Sequence, residues 1–128
     1  MINDKVKIFR PGEGSTNTTQ TSGMQREELV STPNAWVGMV QTKPEFTSGW
    51  HHHGDYDTYV YVISGKIKFE FGEAGKETCI ANAGDVAFIP KNTVHRESNP
   101  STEKQFLFGV RVGQGDPVIN VAGPKNNL

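Results

Sequence analysis

The chain has 128 residues and a mass of 14.1 kDa, enough for one domain with a single core. Lys and Arg total 13 against 14 Asp and Glu, and this net charge of -1, with no long basic stretch, offers no footprint for nucleic acid or an anionic membrane surface. No apolar run approaches the roughly 18 residues of a membrane span, and the first residues, Met1 to Lys5, lack the apolar core of a secretion signal, so a cytoplasmic location is expected.

Gly and Pro are spread between short apolar stretches, and no apolar pattern with helical period lasts three turns, which predicts an all-β domain. In chain order the expected strands are Val6 to Arg10, Met24 to Val30, Ala35 to Thr42, Gly49 to His53, Thr58 to Ser64, Lys66 to Phe71, Glu77 to Ile80, Asp85 to Ile89, Val94 to Ser98 and Gln105 to Val112. Many short strands with frequent turn signals imply a sandwich or barrel. The division expected is an N-terminal strand and flexible arm over 1–23, a barrel over 24–112 and an extended strap over 113–128. Within the arm, residues 11–23 carry little apolar surface, and Gly12-Glu13-Gly14 lacks the flanking strand, helix and Lys of a phosphate loop. The strap offers Val118, Ile119 and Val121 for packing. The clearest alternation is in Lys66 to Phe71, which turns Ile67, Phe69 and Phe71 inward. The single cysteine, Cys79, excludes an internal disulfide and reads as a small buried hydrophobe.

The chemistry concentrates in His51-His52-His53 and in the run from Gly84 to His95. Side chains alternate along a strand, so His51 and His53 share a face, about 6.6 Å apart, and His52 takes the other. Two imidazoles so placed can converge on one metal ion. Imidazoles buried in one interior without an ion would be costly, which favours a metal site over plain core histidines. Arg26, Arg96 and Arg111 are candidates to meet an anionic substrate, but without geometry each reads first as a solvated surface charge.

Together these segments resemble the paired motifs of the cupin superfamily of small β-barrels. His51, His53 and Gly65 match the first motif; Gly84, Pro90, His95 and Asn99 match the second, with Asn92 where the family has its middle Gly. Asn tolerates the left-handed conformation best after Gly, so that exchange is mild. Glu45 stands where the family has its first Gly, and Thr58 stands where it has a carboxylate ligand.

The resemblance implies a single-domain double-stranded β-helix, or jelly-roll barrel, with metal ligands His51, His53 and His95. With the usual carboxylate replaced, the site is expected to rest on three neutral imidazoles. Thr58, Asp57 and Asp55 are possible additional ligands, although Asp57 falls by alternation on the outer face. Glu97 shares a face with His95 and is a candidate base or outer partner of the ligands. Val60, Val62, Phe69 and Phe88 are the expected pocket walls. Imidazoles suit a divalent transition metal, and the resemblance puts Fe(II) first, with Ni, Mn, Zn or Cu as alternatives. Such an ion favours a small anionic or chelating ligand. The activity implied is a non-haem iron dioxygenase of diketones, thiols or diols, with a metal-dependent lyase or isomerase, or a non-catalytic small-molecule or sugar-binding protein, as alternatives. Cupins of this size also imply a homodimer.

Overall fold

The computed structural model describes residues 5–124. Ten strands form, β1 Met24–Thr32, β2 Ala35–Thr42, β3 His51–His52, β4 Asp57–Ser64, β5 Lys66–Phe71, β6 Glu77–Asn82, β7 Val86–Ile89, β8 His95–Ser98, β9 Phe106–Val112 and β10 Ile119–Asn120. The one helical turn among the described residues is a 3-10 turn at Glu73–Gly75, and no helix there is long and apolar enough to cross a membrane. The strands make two antiparallel five-stranded sheets: sheet one in the order β1-β2-β9-β4-β7 and sheet two in the order β10-β3-β8-β5-β6.

The inner faces follow from alternation. On β4, Thr58, Val60 and Val62 are buried while Tyr59, Tyr61 and Ile63 are exposed, and on β5 Ile67 and Phe69 are buried. These join Met24, Trp36, Val40, Ala81, Ile89 and Leu107 in one core, with Phe71 packed against it. Apolar burial of this kind is the main favourable term in folding. Gly38 and Gly109 are Cα partners on β2 and β9, and the Trp36 indole fills the space their missing side chains leave. A Cβ at Gly38 would clash with the indole edge and with the Glu27 carbonyl oxygen.

Three expectations need correction. Val6 to Arg10 is not a strand: its side chains are exposed, because strand-forming residues build a ladder only where a partner edge lies alongside. The segment 11–23 is held rather than loose. The amides of Gly12 and Gly14 donate to the Glu27 carboxylate at 2.8 Å each, Ser15 bridges to Glu28, and Thr21 is buried. The Gly-rich turn therefore does cradle an anion, and that anion is the chain's own. Cys79 is exposed, since β6 is an edge strand whose middle lies at the barrel mouth.

The strap does pack on the barrel. Val118 is buried, and β10 pairs with β3 so that Ile119 faces His52 and Asn120 faces His51. Asn120 also ties the strap to the N-terminal segment, accepting from the Thr21 hydroxyl at 2.8 Å and donating to the Gln20 carbonyl at 3.0 Å. Met1–Asp4 and the end of the strap, 125–128, lie outside the described residues.

Candidate metal centre

His51, on β3, is the Cα partner of His95, on β8, so strand register alone sets these two imidazoles side by side. His53 follows past the end of β3 but keeps the same face; both are buried, while His52 is half-buried and accepts the Gly54 amide through Nδ1 at 3.0 Å. The ring centroids of the three lie 4.3 to 5.3 Å apart. Two residues beyond His95, Glu97 points inward from the same strand. The ligand atoms of His51, His53, His95 and Glu97 all fall within 4.8 Å of one another. Donors about 2.1 Å from a shared ion sit up to about 4.2 Å apart, so a small contraction suffices to close this group on a divalent metal.

The hydrogen bonds around the rings fix which nitrogen faces inward. Nδ1 of His51 meets the Gly49 carbonyl at 3.0 Å, Nδ1 of His53 the Pro117 carbonyl at 2.8 Å, and Nδ1 of His95 the Thr93 carbonyl at 2.9 Å. A carbonyl only accepts, so each Nδ1 carries the proton and each Nε2 turns a lone pair into the site. This is the arrangement in which metal-ligating histidines are held by their outer partners. Burial pushes the His51 imidazole below its ordinary range, and burial followed by the nearby Arg111 charge pushes His53 well below it, so both are neutral donors at physiological pH.

Glu97 Oε1 lies 3.3 Å from Nε2 of His95 and 3.7 Å from Nε2 of His51. A lone pair facing a carboxylate oxygen is repulsive unless a cation lies between them. His51 Nε2 and Glu97 Oε2 are buried without a hydrogen-bond partner, which also fits a metal-binding role. Burial pushes the Glu97 carboxyl up, but in the metal-free site a proton on Nε2 of the facing His51 or His95 outweighs it, by hydrogen bond and charge, and holds the group well below the usual carboxylate range. Its backbone is fixed by Ser48, whose hydroxyl accepts the Glu97 amide at 2.9 Å and whose amide donates to the Glu97 carbonyl at 2.7 Å.

The site thus contains a carboxylate, and the expectation of imidazoles alone is corrected. The carboxylate comes from β8 rather than from the β4 position that Thr58 occupies. Thr58 faces the interior with its Oγ1 buried and unpartnered. Asp57 faces outward and accepts the Lys91 amide at 3.1 Å; Asp55 is exposed and meets the Asn92 side-chain amide at 3.5 Å. Neither aspartate belongs to the group. Asn92 has φ 59°, the left-handed conformation expected of it, and Glu45 adopts φ 64° at the position of the departed Gly.

A cavity of about 170 Å³ ends at His95, lined by Phe69, Phe71, Cys79, Ala87, Ile89 and Pro90 among others. Phe69 is one of its walls. Phe88 touches its rim but is half exposed, with its ring 5.3 Å from Tyr59 on the outer face, while Val60 and Val62 are core residues that do not line it. A larger groove of about 390 Å³ lies outside sheet one, beneath Pro11 to Thr16, and touches none of the four candidate ligands.

Reading all three arginines as surface charges missed two interior ones. Arg26 and Arg111 are 0% and 3% exposed. The signal was present in parity, since Arg26 falls in step with Met24 on β1 and Arg111 in step with Leu107 on β9. Only Arg96 lies at the surface, paired with Glu70 at 2.9 Å and placed over the Trp50 ring.

A family model for the cupin domain matches residues 38–110, more than half of the chain. YdbB, an uncharacterised protein of Bacillus subtilis, is 45% identical over 47 residues, which cover 37% of this chain and 40% of that protein's length. Among solved structures, a double-stranded β-helix protein from Klebsiella pneumoniae superposes with TM-score 0.73 at 20% identity, covering 94% of this chain and 100% of that one. The polyketide cyclase RemF from Streptomyces resistomycificus superposes with TM-score 0.70 at 16% identity, covering 91% and 86%. At these identities the superpositions speak for the fold alone.

Proposed function

The chain belongs to the cupin family, and from that premise we propose that it is a metal-dependent enzyme acting on a small chelating anion. The observation that carries this is the convergence of three Nε2 lone pairs and one buried carboxylate on a single point. When bound, a divalent transition metal would supply Lewis-acid polarisation of substrate oxygens.

Three protein ligands on an octahedral ion leave room for a chelating substrate together with a co-substrate; four leave room for the chelating substrate only. With Glu97 in the group, the favoured reaction class is a lyase or isomerase, in which a substrate bound through two oxygens is rearranged or cleaved without dioxygen. Glu97 Oε2, without a hydrogen-bond partner, is then the group positioned to take a proton. The cavity that reaches His95 has mostly apolar walls, which suit a substrate with an apolar side.

The dioxygenase reading, with Fe(II), is kept as the second. It is favoured by Thr58 at the family's carboxylate position, which leaves the imidazoles as the set shared with that family pattern. Elemental analysis followed by turnover of hydroxy acids, diketones, thiols and diols, with and without air, separates the two. Turnover unaffected by removing oxygen supports the lyase or isomerase. Oxygen uptake matched to substrate loss, retained in Glu97→Gln, overturns it in favour of the dioxygenase. Protein that takes up no metal on reconstitution sinks both.

Homodimerisation belongs to the same proposal. The outer face of sheet one exposes Tyr59, Tyr61, Ile63, Phe106 and Val112, an apolar surface of the kind buried between subunits. Light scattering that gives the mass of one chain at micromolar concentration would remove this part.

A further inference from the structure

The two sheets face each other with opposite chemistry. Sheet two presents the imidazole nitrogens and Glu97, while sheet one presents the guanidinium groups of Arg26 and Arg111. Arg26 is largely accounted for, because its Nη1 donates to the Thr21 hydroxyl at 2.7 Å and to the Thr19 carbonyl at 3.3 Å. Arg111 is not. Among the described residues it makes no ion pair and no side-chain hydrogen bond, and its Nε and Nη1 are buried without partners. What holds it is the Trp36 ring, 4.0 Å beneath the guanidinium carbon, a platform for which Gly38 leaves the room.

The neighbours of Arg111 on the inner face complete the picture. Strand register runs Trp36, Arg111, Thr58 and Ile89 across β2, β9, β4 and β7, and all four are buried. Ile89 lines the cavity that ends at His95; Thr58 and Arg111 lie behind Ile89, outside that lining, and Thr58 has an unpartnered Oγ1. We propose that Arg111 and Thr58 form a carboxylate-binding subsite across the barrel from the histidine group, so that the ligand is a small dianion with one chelating end and a second carboxylate. This rests on the metal-centre reading above. A guanidinium fork matches a carboxylate bidentately, and a hydroxyl beside it adds a third donor. Among the buried ionic side chains two guanidiniums face one carboxylate, and a dipositive ion would widen that excess, which a dianion reduces. Burial, with Arg26 adding to it and Glu97 opposing, brings Arg111 down to about 9, in keeping with a cation short of anionic partners.

The test uses the full-length protein, metal-loaded and metal-free, with malonate as the dianion and acetate as its one-carboxylate counterpart, read by calorimetry and by Trp36 fluorescence in a Trp50→Phe background. Arg111→Met is expected to weaken malonate binding roughly 10- to 100-fold, to change acetate binding little, and to leave metal content intact. It should melt no lower than the parent, because a buried unpaired charge is replaced by an apolar chain of similar length. Thr58→Val provides a milder second variant, expected to weaken malonate roughly 3- to 10-fold. Equal malonate affinity in parent and both variants overturns the subsite, as does a large drop in melting temperature of Arg111→Met with malonate affinity unchanged. The metal reading fails separately. If the parent takes up no metal yet binds malonate in an Arg111-dependent way, the subsite stands and the metal centre falls.

Discussion

The inner faces of the two sheets are alike in burial and opposite in how their polar groups are satisfied. On sheet two each histidine gives its outer nitrogen a backbone carbonyl and turns the inner one toward the other candidate ligands. On sheet one Arg111 has only an aromatic ring, and its donors point into the interior without acceptors. One face is organised to receive a cation and the other to receive an anion. Interior polar groups left unsatisfied cost stability, so two such faces opposite each other are better understood as binding surfaces than as packing.

The sharpest way to break this contrast is on the histidine side. His53→Ala should lower metal affinity by more than about 100-fold, since even the loss of an outer partner costs 10- to 100-fold in metal sites. Competition with a chelator of known affinity measures it, and unchanged affinity would remove His53 from the site.

Next is Gly38→Ala, which tests the platform on the arginine side. A Cβ at this position would clash with the Glu27 carbonyl oxygen and with the Trp36 indole, so both the β1 backbone and the ring must shift, at a cost of about 1–3 kcal/mol in urea denaturation. An undisturbed melting curve would show that the ring moves freely and that Arg111 has no fixed support.

The pH dependence of the metal-free protein should be smaller. His51 and His53 have folded-state proton affinities lowered by burial, so the unfolded chain binds more protons and stability is lost as pH falls below about 6.5. The lowered Glu97 acts in the same direction at more acid pH, its contribution being present above its unfolded value and lost as pH falls through the folded one. Melting temperatures between pH 7.5 and 5 should decline, and the decline should be shallower in His53→Asn. A flat profile would mean that the imidazoles are not buried in solution.

The smallest expected effect is that of Thr58→Val on metal content, which should be nil if the four candidate ligands suffice. Loss of metal in this variant would add the hydroxyl, or a water it holds, to the metal site.

Much of this protein was legible without coordinates. β2 and β5 begin and end where alternation places them, His51 and His53 face one way with His52 the other, and Asn92 takes the left-handed turn. These features depend on local geometry, with a period of two and the steric tolerance of a single residue. The strand expected at Val6 to Arg10 failed for a complementary reason, since local preference cannot supply a partner edge. Cys79 was misplaced because burial on edge strand β6 depends on what covers each residue: Ala81 is packed into the core, while Cys79 opens onto the cavity that ends at His95.

The sequence by itself determined an all-β chain with two histidine motifs, because alternation and turn chemistry are written residue by residue. Tertiary structure decided that Glu97, legible in the sequence only as sharing a face with His95, comes within ligand distance of all three imidazoles, that Pro117 in the strap orients His53, and that Arg111 faces the histidines across the barrel. Each of these depends on strand register and sheet order, which bring together residues far apart along the chain. No single segment encodes that juxtaposition.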